Sequence, residues 1–168
     1  MRRSGLGGLA LAAALVCAAP AVAAPIFVDD FQDGRADGWG AAGAGDVRLT
    51  TYQGNVSLRF TRQASATAMV STQGFSQISV AASLAALSLG ADDACIAEVS
   101  ADAGANWREI ITLRDGKDDG VTLVRGEAAA PEGDNTPRLL VRFRARGGPD
   151  AQCWGDAVVV TGRPLGRG

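Results

Sequence analysis

The sequence predicts an all-β domain built as a two-sheet antiparallel sandwich. Three observations lead there. Short apolar or alternating runs recur along the chain with Gly, Asn and Asp turns between them. No segment carries a convincing long, capped helix. Two cysteines remain to staple a core once the N-terminal segment is set aside.

Residues 1–23 read as a secretory signal. Met1-Arg2-Arg3 is a basic start, Leu6 to Val16 is an apolar run too short for a membrane span, and Ala21-Val22-Ala23 supplies the small residues a signal peptidase accepts. Cleavage is expected after Ala23. Val16 before Cys17 argues against lipid attachment, and no transmembrane anchor follows. The mature chain is then one sandwich domain over residues 24–162 with a flexible tail at 163–168, secreted to the periplasm or beyond. Removing 23 of 168 residues leaves 145, enough to bury a core. Two arginines leave with the signal, so 14 basic against 18 acidic residues give a net charge of −4. The absence of a basic groove or tail argues against nucleic acid as a partner. Cys17 also leaves, and Cys95 and Cys153 are an even pair in an exported chain, so a disulfide between them is expected. Closing that loop should contribute roughly 4 kcal/mol. Two separate buried thiols are the alternative.

Ile26-Phe27-Val28 opens the mature chain as a strand, followed by the acidic turn Asp29-Asp30-Phe31-Gln32-Asp33-Gly34 and by Asp37-Gly38-Trp39. The Gly and Ala tract from Gly40 to Gly45 reads as loop. Val47 to Tyr52 is a strand and Gln53-Gly54-Asn55 a turn. In the next strand Val56, Leu58 and Phe60 face the core while Ser57, Arg59 and Thr61 face water. Ala66 to Thr72 alternates more weakly, and Gln73-Gly74 breaks it. Ile78 to Leu89 is ambiguous. Its Ala and Leu content suits a helix, yet Ile78, Val80, Ala82 and Leu84 fit a period of two and no cap is convincing, so it is read as strand. Ala94 to Ser100 and Trp107 to Arg114 form a hairpin, Asp115 to Gly120 a polar turn, Val121 to Arg125 a strand, and Ala128 to Pro137 a loop. The clearest alternation follows, with Leu139, Val141, Phe143 and Ala145 inward and Arg142, Arg144 and Arg146 outward. Cys153 to Thr161 is the last strand.

The arms of the hairpin enclose the most specific local pattern, Ser100-Ala101-Asp102-Ala103-Gly104-Ala105-Asn106-Trp107. Asp102 can fold its carboxylate onto backbone N–H groups ahead of it, Gly104 supplies the positive φ of a tight connection, and Trp107 can lie back over the turn. Ser100-x-Asp102-x-Gly104-x-x-Trp107 resembles the Asp-box, the hairpin motif repeated in sialidase-type propellers and embedded singly in some extracellular jelly-roll domains. An Asp-Asp-Phe start, a Trp soon after, and Asp156 two residues beyond Trp154 in the closing strand extend the likeness. The mature chain is similar to galactose-binding-like and reelin-repeat-like jelly rolls. That resemblance implies a jelly-roll sandwich, an extracellular setting and a structural role for Ser100, Asp102, Gly104 and Trp107. The internal repeats a propeller needs are absent.

The chain has no histidine, which removes Ser-His and Cys-His nucleophile pairs, a His general base and His-ligated zinc. A hydrolase would have to rest on carboxylates. Glu98 and Glu109 could approach each other across the hairpin, although ion pairs with Arg142, Arg144, Arg146 or Arg108 are the plainer reading. Asp29, Asp30 and Asp33 gather hard oxygens within one turn, and Asp156 would join them if the first and last strands are neighbours. Such a set suits Ca2+. The resemblance implies the same structural ion where chain ends meet, and an Asp-rich turn is the alternative. Trp39, Tyr52, Phe75 and Trp154 are candidate platforms for a pyranose ring, with core packing as the alternative. Arg59, Arg142 and Arg144 could hydrogen-bond sugar hydroxyls or carboxylates, or simply keep an open sheet soluble. The expected function is a secreted, non-enzymatic module that binds glycan or protein at the cell envelope, with calcium as a structural cofactor. The alternatives are an accessory envelope protein without a small ligand and, last, a carboxylate-based glycosidase or lyase.

Overall fold

The computed structural model describes residues 22–120 and 122–166, so the expected signal at 1–23 lies almost wholly outside the described residues. Eleven strands follow in order: β1 (Ala24–Asp29), β2 (Trp39–Ala42), β3 (Val47–Tyr52), β4 (Asn55–Thr61), β5 (Ser65–Val70), β6 (Phe75–Leu87), β7 (Ala94–Ser100), β8 (Arg108–Arg114), β9 (Val124–Ala129), β10 (Leu139–Arg146) and β11 (Gln152–Pro164). A 3-10 turn, Pro131–Gly133, precedes β10. One antiparallel sheet runs β3-β4-β11-β6-β9, with β1 also paired to β11, and the facing sheet runs β2-β5-β10-β7-β8. The predicted sandwich is the observed architecture.

Its core follows from alternation. On β10, Leu139, Val141, Phe143 and Ala145 are buried while the three arginines between and after them point away. The ambiguous β6 is a strand of 13 residues held by β11 on one side and β9 on the other. Ile78 and the run Val80 to Ala86 are all buried, so both faces of this central strand are covered and its sequence reads as one apolar run. Four rings form a column through the interior. Phe31 lies 5.6 Å from Trp39, Trp39 stacks on Phe143 at 5.4 Å, and Phe143 stacks on Phe60 at 5.7 Å. The Phe143 ring occupies the place of a side chain at Gly155 in the opposite sheet, where a Cβ would lie 2.7 Å from it. Beside this contact the disulfide Cys95–Cys153 ties β7 to β11, with Cα atoms 5.7 Å apart.

Four expectations shift. Trp39–Ala42, which overlaps the start of the Gly40 to Gly45 tract read as loop, is the edge strand β2 paired to β5. Its glycines serve close approach: a Cβ at Gly43 or Gly45 would overlap the carbonyl oxygens of Gln63 and Thr61. The strand expected at Val121 to Arg125 lies later, at Val124–Ala129, with Gly126 packed against Ile110 and Ile111 of the other sheet. Ser57 and Thr61 do leave the core face, yet both are buried. The last strand continues past Gly162 to Pro164, and the Leu165 amide donates to the Gly74 carbonyl, so the start of the expected tail is pinned.

Two outcomes check this packing. Gly155→Ala should lower stability by about 1–3 kcal/mol in denaturant unfolding, because Phe143 is held by Trp39 and Phe60 and has nowhere to move; an unchanged midpoint refutes the close contact. Mass spectrometry should find no free thiol at Cys95 or Cys153, and Cys95→Ser with Cys153→Ser should lose roughly 4 kcal/mol.

Candidate functional site

The β7–β8 turn closes on its own side chains. The Ser100 hydroxyl accepts the Gly104 amide at 2.9 Å and donates to Asp102 Oδ1 at 2.8 Å. Asp102 accepts the Asn106 amide at 2.9 Å and its side-chain NH2 at 2.7 Å. These donors, led by the Asn106 backbone N–H, lower the Asp102 carboxyl to about 2. Gly104 has φ +91°, and Trp107 Nε1 donates to its carbonyl at 2.9 Å, fixing the indole over the turn.

That indole meets the outer face of the β2-β5-β10-β7-β8 sheet. The Arg142 guanidinium lies over the Trp107 ring, 3.6 Å from its centroid. Arg142 is opposite Glu98 in the β10–β7 ladder and bonds it at 2.6 Å, and Arg144 bonds the same carboxylate at 2.9 Å. The Glu98 side chain is 3 % exposed, whereas those of Arg142 and Arg144 are 21 % and 34 % exposed. Buried carboxylate and half-open guanidinium groups therefore form a fixed array. Glu109 stands opposite Glu98 across the hairpin and accepts the Thr112 hydroxyl at 2.8 Å. With Glu98 held by two arginines, the hairpin acids do not make a free acid–base pair. Next to the array, a cavity of about 330 Å³ opens at the end of the sandwich, floored by Val99, Leu139 and Ala130 and bordered by Trp107. Arg108 crosses its mouth to Glu132 at 2.6 Å.

The other expected site residues lie elsewhere. Trp39 packs on the core side of this sheet and donates Nε1 to Asp29 Oδ2 at 2.8 Å. Tyr52 and Trp154 are buried on the outer face of the opposite sheet, stacked at 4.4 Å. Phe75 is half-buried, as are Phe27, Trp39 and Trp107. The expectation of an open aromatic platform is thus corrected: the rings are consumed in packing, away from Arg142 and Arg144. Burial and the nearby Asp119 charge raise the Tyr52 phenol above its ordinary range. Of the acidic set, Asp33 caps the Arg35 amide within its own turn, Asp30 caps Gln32, and Asp29 accepts from Phe31 and Trp39. Asp156 is buried, bonded by Ser57 Oγ and the Ala157 amide, and raised above the usual carboxylate range by burial, with the charges of Asp30 and Asp29 adding to it. First and last strands are indeed neighbours, with Asp29 in register with Val158. Among the described residues no three acidic side chains converge as a metal-holding group. The ion pairs expected for Glu98 with the arginine row are observed with Arg142 and Arg144, although Glu98 was not counted among the ligand-binding residues. The available signal was one acidic residue inside an otherwise small and apolar strand, facing an arginine row.

No protein-family model matches the chain, and no curated protein matches it in sequence. Solved structures do. The C-terminal family 22 carbohydrate binding module of Clostridium thermocellum Xyn10B superposes with a TM-score of 0.61 at 14% identity, over 85% of this chain and 96% of that one. TmCBM61 in complex with β-1,4-galactotriose gives 0.58 at 15%, over 79% and 93%. The K3 cleaved adhesin domain of Porphyromonas gingivalis Lys-gingipain gives 0.55 at 12%, over 83% and 99%. At these identities the likeness establishes the jelly-roll sandwich fold.

The hairpin has a signed pH response. Because the Asp102 carboxyl is lowered to about 2 in the folded chain, its contribution is present above the unfolded value near 4 and is lost as pH falls towards 2. NMR titration should place the Asp102 carboxyl midpoint about two units below a free aspartate, and Asp102→Asn should flatten the acid limb of the stability curve; a midpoint near 4 refutes the assignment.

Proposed function

We propose that the chain is a secreted, non-catalytic module that binds a glycan on the outer face of the β2-β5-β10-β7-β8 sheet, with a calcium ion bracing the strand ends. The observation that carries this reading is the array of Glu98, Arg142, Arg144 and Trp107 on a sheet whose fold recurs in a carbohydrate binding module and in a galactotriose complex. Sugar hydroxyls need donors held at fixed positions. Glu98 immobilises two guanidinium groups before any ligand arrives, so less side-chain entropy is lost on binding. The lack of histidine and the engagement of Glu98 favour binding over catalysis. The disulfide supports export, since such bonds persist in oxidising compartments.

Support for calcium is electrostatic. Asp156 is buried beside two further carboxylates, and among the described residues no cationic side chain forms an ion pair with any of the three. A divalent cation held at Asp156 would relieve that repulsion, with backbone carbonyl oxygens and water, not a carboxylate trio, completing its shell.

The test is a pull-down and calorimetric screen of the oxidised chain against insoluble and soluble polysaccharides, with calcium and with chelator. Saturable binding that falls at least about tenfold in Arg142→Ala, with the double variant Glu98→Gln, Arg142→Gln as a control for the stranded carboxylate, establishes the module. Failure to bind any glycan overturns it. Calcium should raise the thermal midpoint of the native chain but not of Asp156→Asn; equal shifts refute the ion site.

A further inference from the structure

We infer that the glycan taken by this face is an acidic polysaccharide presenting ring carboxylates; the inference rests on the glycan-binding reading above. Neutral pyranoses are held largely by stacking on an open aromatic face. Here the ring that meets this face is Trp107, which is half-buried. It is covered by the Arg142 guanidinium at 3.6 Å, and Gly104 lies against the ring, where a Cβ would stand 3.3 Å away. A cation occupies the place where a neutral sugar would stack.

The surrounding charges agree. Arg142, Arg144 and Arg146 take successive outward positions on β10, about 6.8 Å apart along the strand. Arg114 joins the last of them in one row, since Ala94 pairs with both Arg146 and Arg114. On the strands themselves these four arginines stand against Glu98 and Glu109, with Asp92 and Asp93 lining a hollow beside Arg146 at one end, a basic row on a chain whose formal net charge is −2. Arg114 and Arg146 are exposed and form no ion pair among the described residues. At that end Asp93 is committed to the amides of Gly90 and Gly148. Glu98 engages the Nε and Nη2 edge of both Arg142 and Arg144. Each guanidinium keeps N–H donors on its Nη1 side, a planar fork that matches a carboxylate better than a hydroxyl.

The experiment measures affinity for polygalacturonate, the same polymer methyl-esterified, neutral xylan and dextran sulfate, each at low and high salt. Expected are binding to polygalacturonate, a loss of about tenfold or more on esterification, weakening by salt, and a several-fold loss in Arg114→Gln, Arg146→Gln with an unchanged thermal midpoint. Arg144→Gln with Glu98→Gln should lose affinity as well, without stranding a buried charge. Xylan or the esterified polymer binding as tightly as polygalacturonate overturns the inference and leaves the glycan-binding reading standing. Dextran sulfate binding equally well assigns the attraction to charge density and overturns the carboxylate assignment. No binding to any of the four, nor to the glycans of the wider screen, overturns both readings.

Discussion

The structure turns on one contact, the Phe143 ring filling the space that Gly155 leaves open in the opposite sheet. The ring is stacked on both sides, by Trp39 and by Phe60, so it sets how closely the sheets can approach. The disulfide lies in the same neighbourhood, because Cys95 pairs with Ala145 in the ladder and Cys153 lies two residues before Gly155. Much of the remaining core is Ala and Val, residues that cannot span a gap by themselves. Position 143 also decides what lies outside. With Phe143 inward, Arg142 and Arg144 must point outward; a register slip of one residue would bury two guanidinium groups and expose the core. Core and candidate site are the two faces of one strand.

Glu98 makes the outer face more than a set of loose arginines. A carboxylate this buried is costly unless paired and hydrogen-bonded, and here two guanidinium groups do both. The pair is worth little as a net source of stability, since a buried ion pair often does no better than apolar residues of the same volume. Its consequence is positional. Long, flexible arginine side chains are held at fixed places, Arg142 over Trp107 and both against Glu98, so little of their side-chain entropy remains to be lost.

Much of the sandwich was legible because period-two alternation reports burial directly. The β10 pattern, the hairpin residues Ser100 to Trp107 and the even cysteine pair each carry a local physical reason that survives folding. β2 was not legible: Gly40 to Gly45 has no alternation, and its small residues answer to the carbonyls of Gln63 and Thr61, which are distant in sequence. β9 was displaced for a related reason, since Gly126 is required by the approach of Ile110 and Ile111. The site was half legible. Arg142 and Arg144 were visible as outward residues and Glu98 as a partner for that row, but which two arginines it bonds, and that it lies opposite one of them, is a tertiary fact of strand partnership. The aromatic residues misled most, since ring type says nothing about which side of a sheet is covered.

The outer face of the other sheet shows why that distinction matters. Tyr52 and Trp154 stack there with Ala85 and Leu123 packed against them, and the Gln53 side chain reaches the Gly120 carbonyl. Beside them Ser57 and Asp156 are buried and bonded to each other, while the Tyr52 hydroxyl and Thr50 Oγ1 are buried without a partner among the described residues. Each such group costs about 1–3 kcal/mol, and the neighbouring ring burial is what offsets it. To serve as a sugar platform, the pair would have to be uncovered, giving up that burial. The opposite sheet needs no such change, because Arg142 and Arg144 are paired with Glu98 while their side chains stay partly open to solvent. An aromatic pair is a platform only when one of its faces is open, and here both rings are buried.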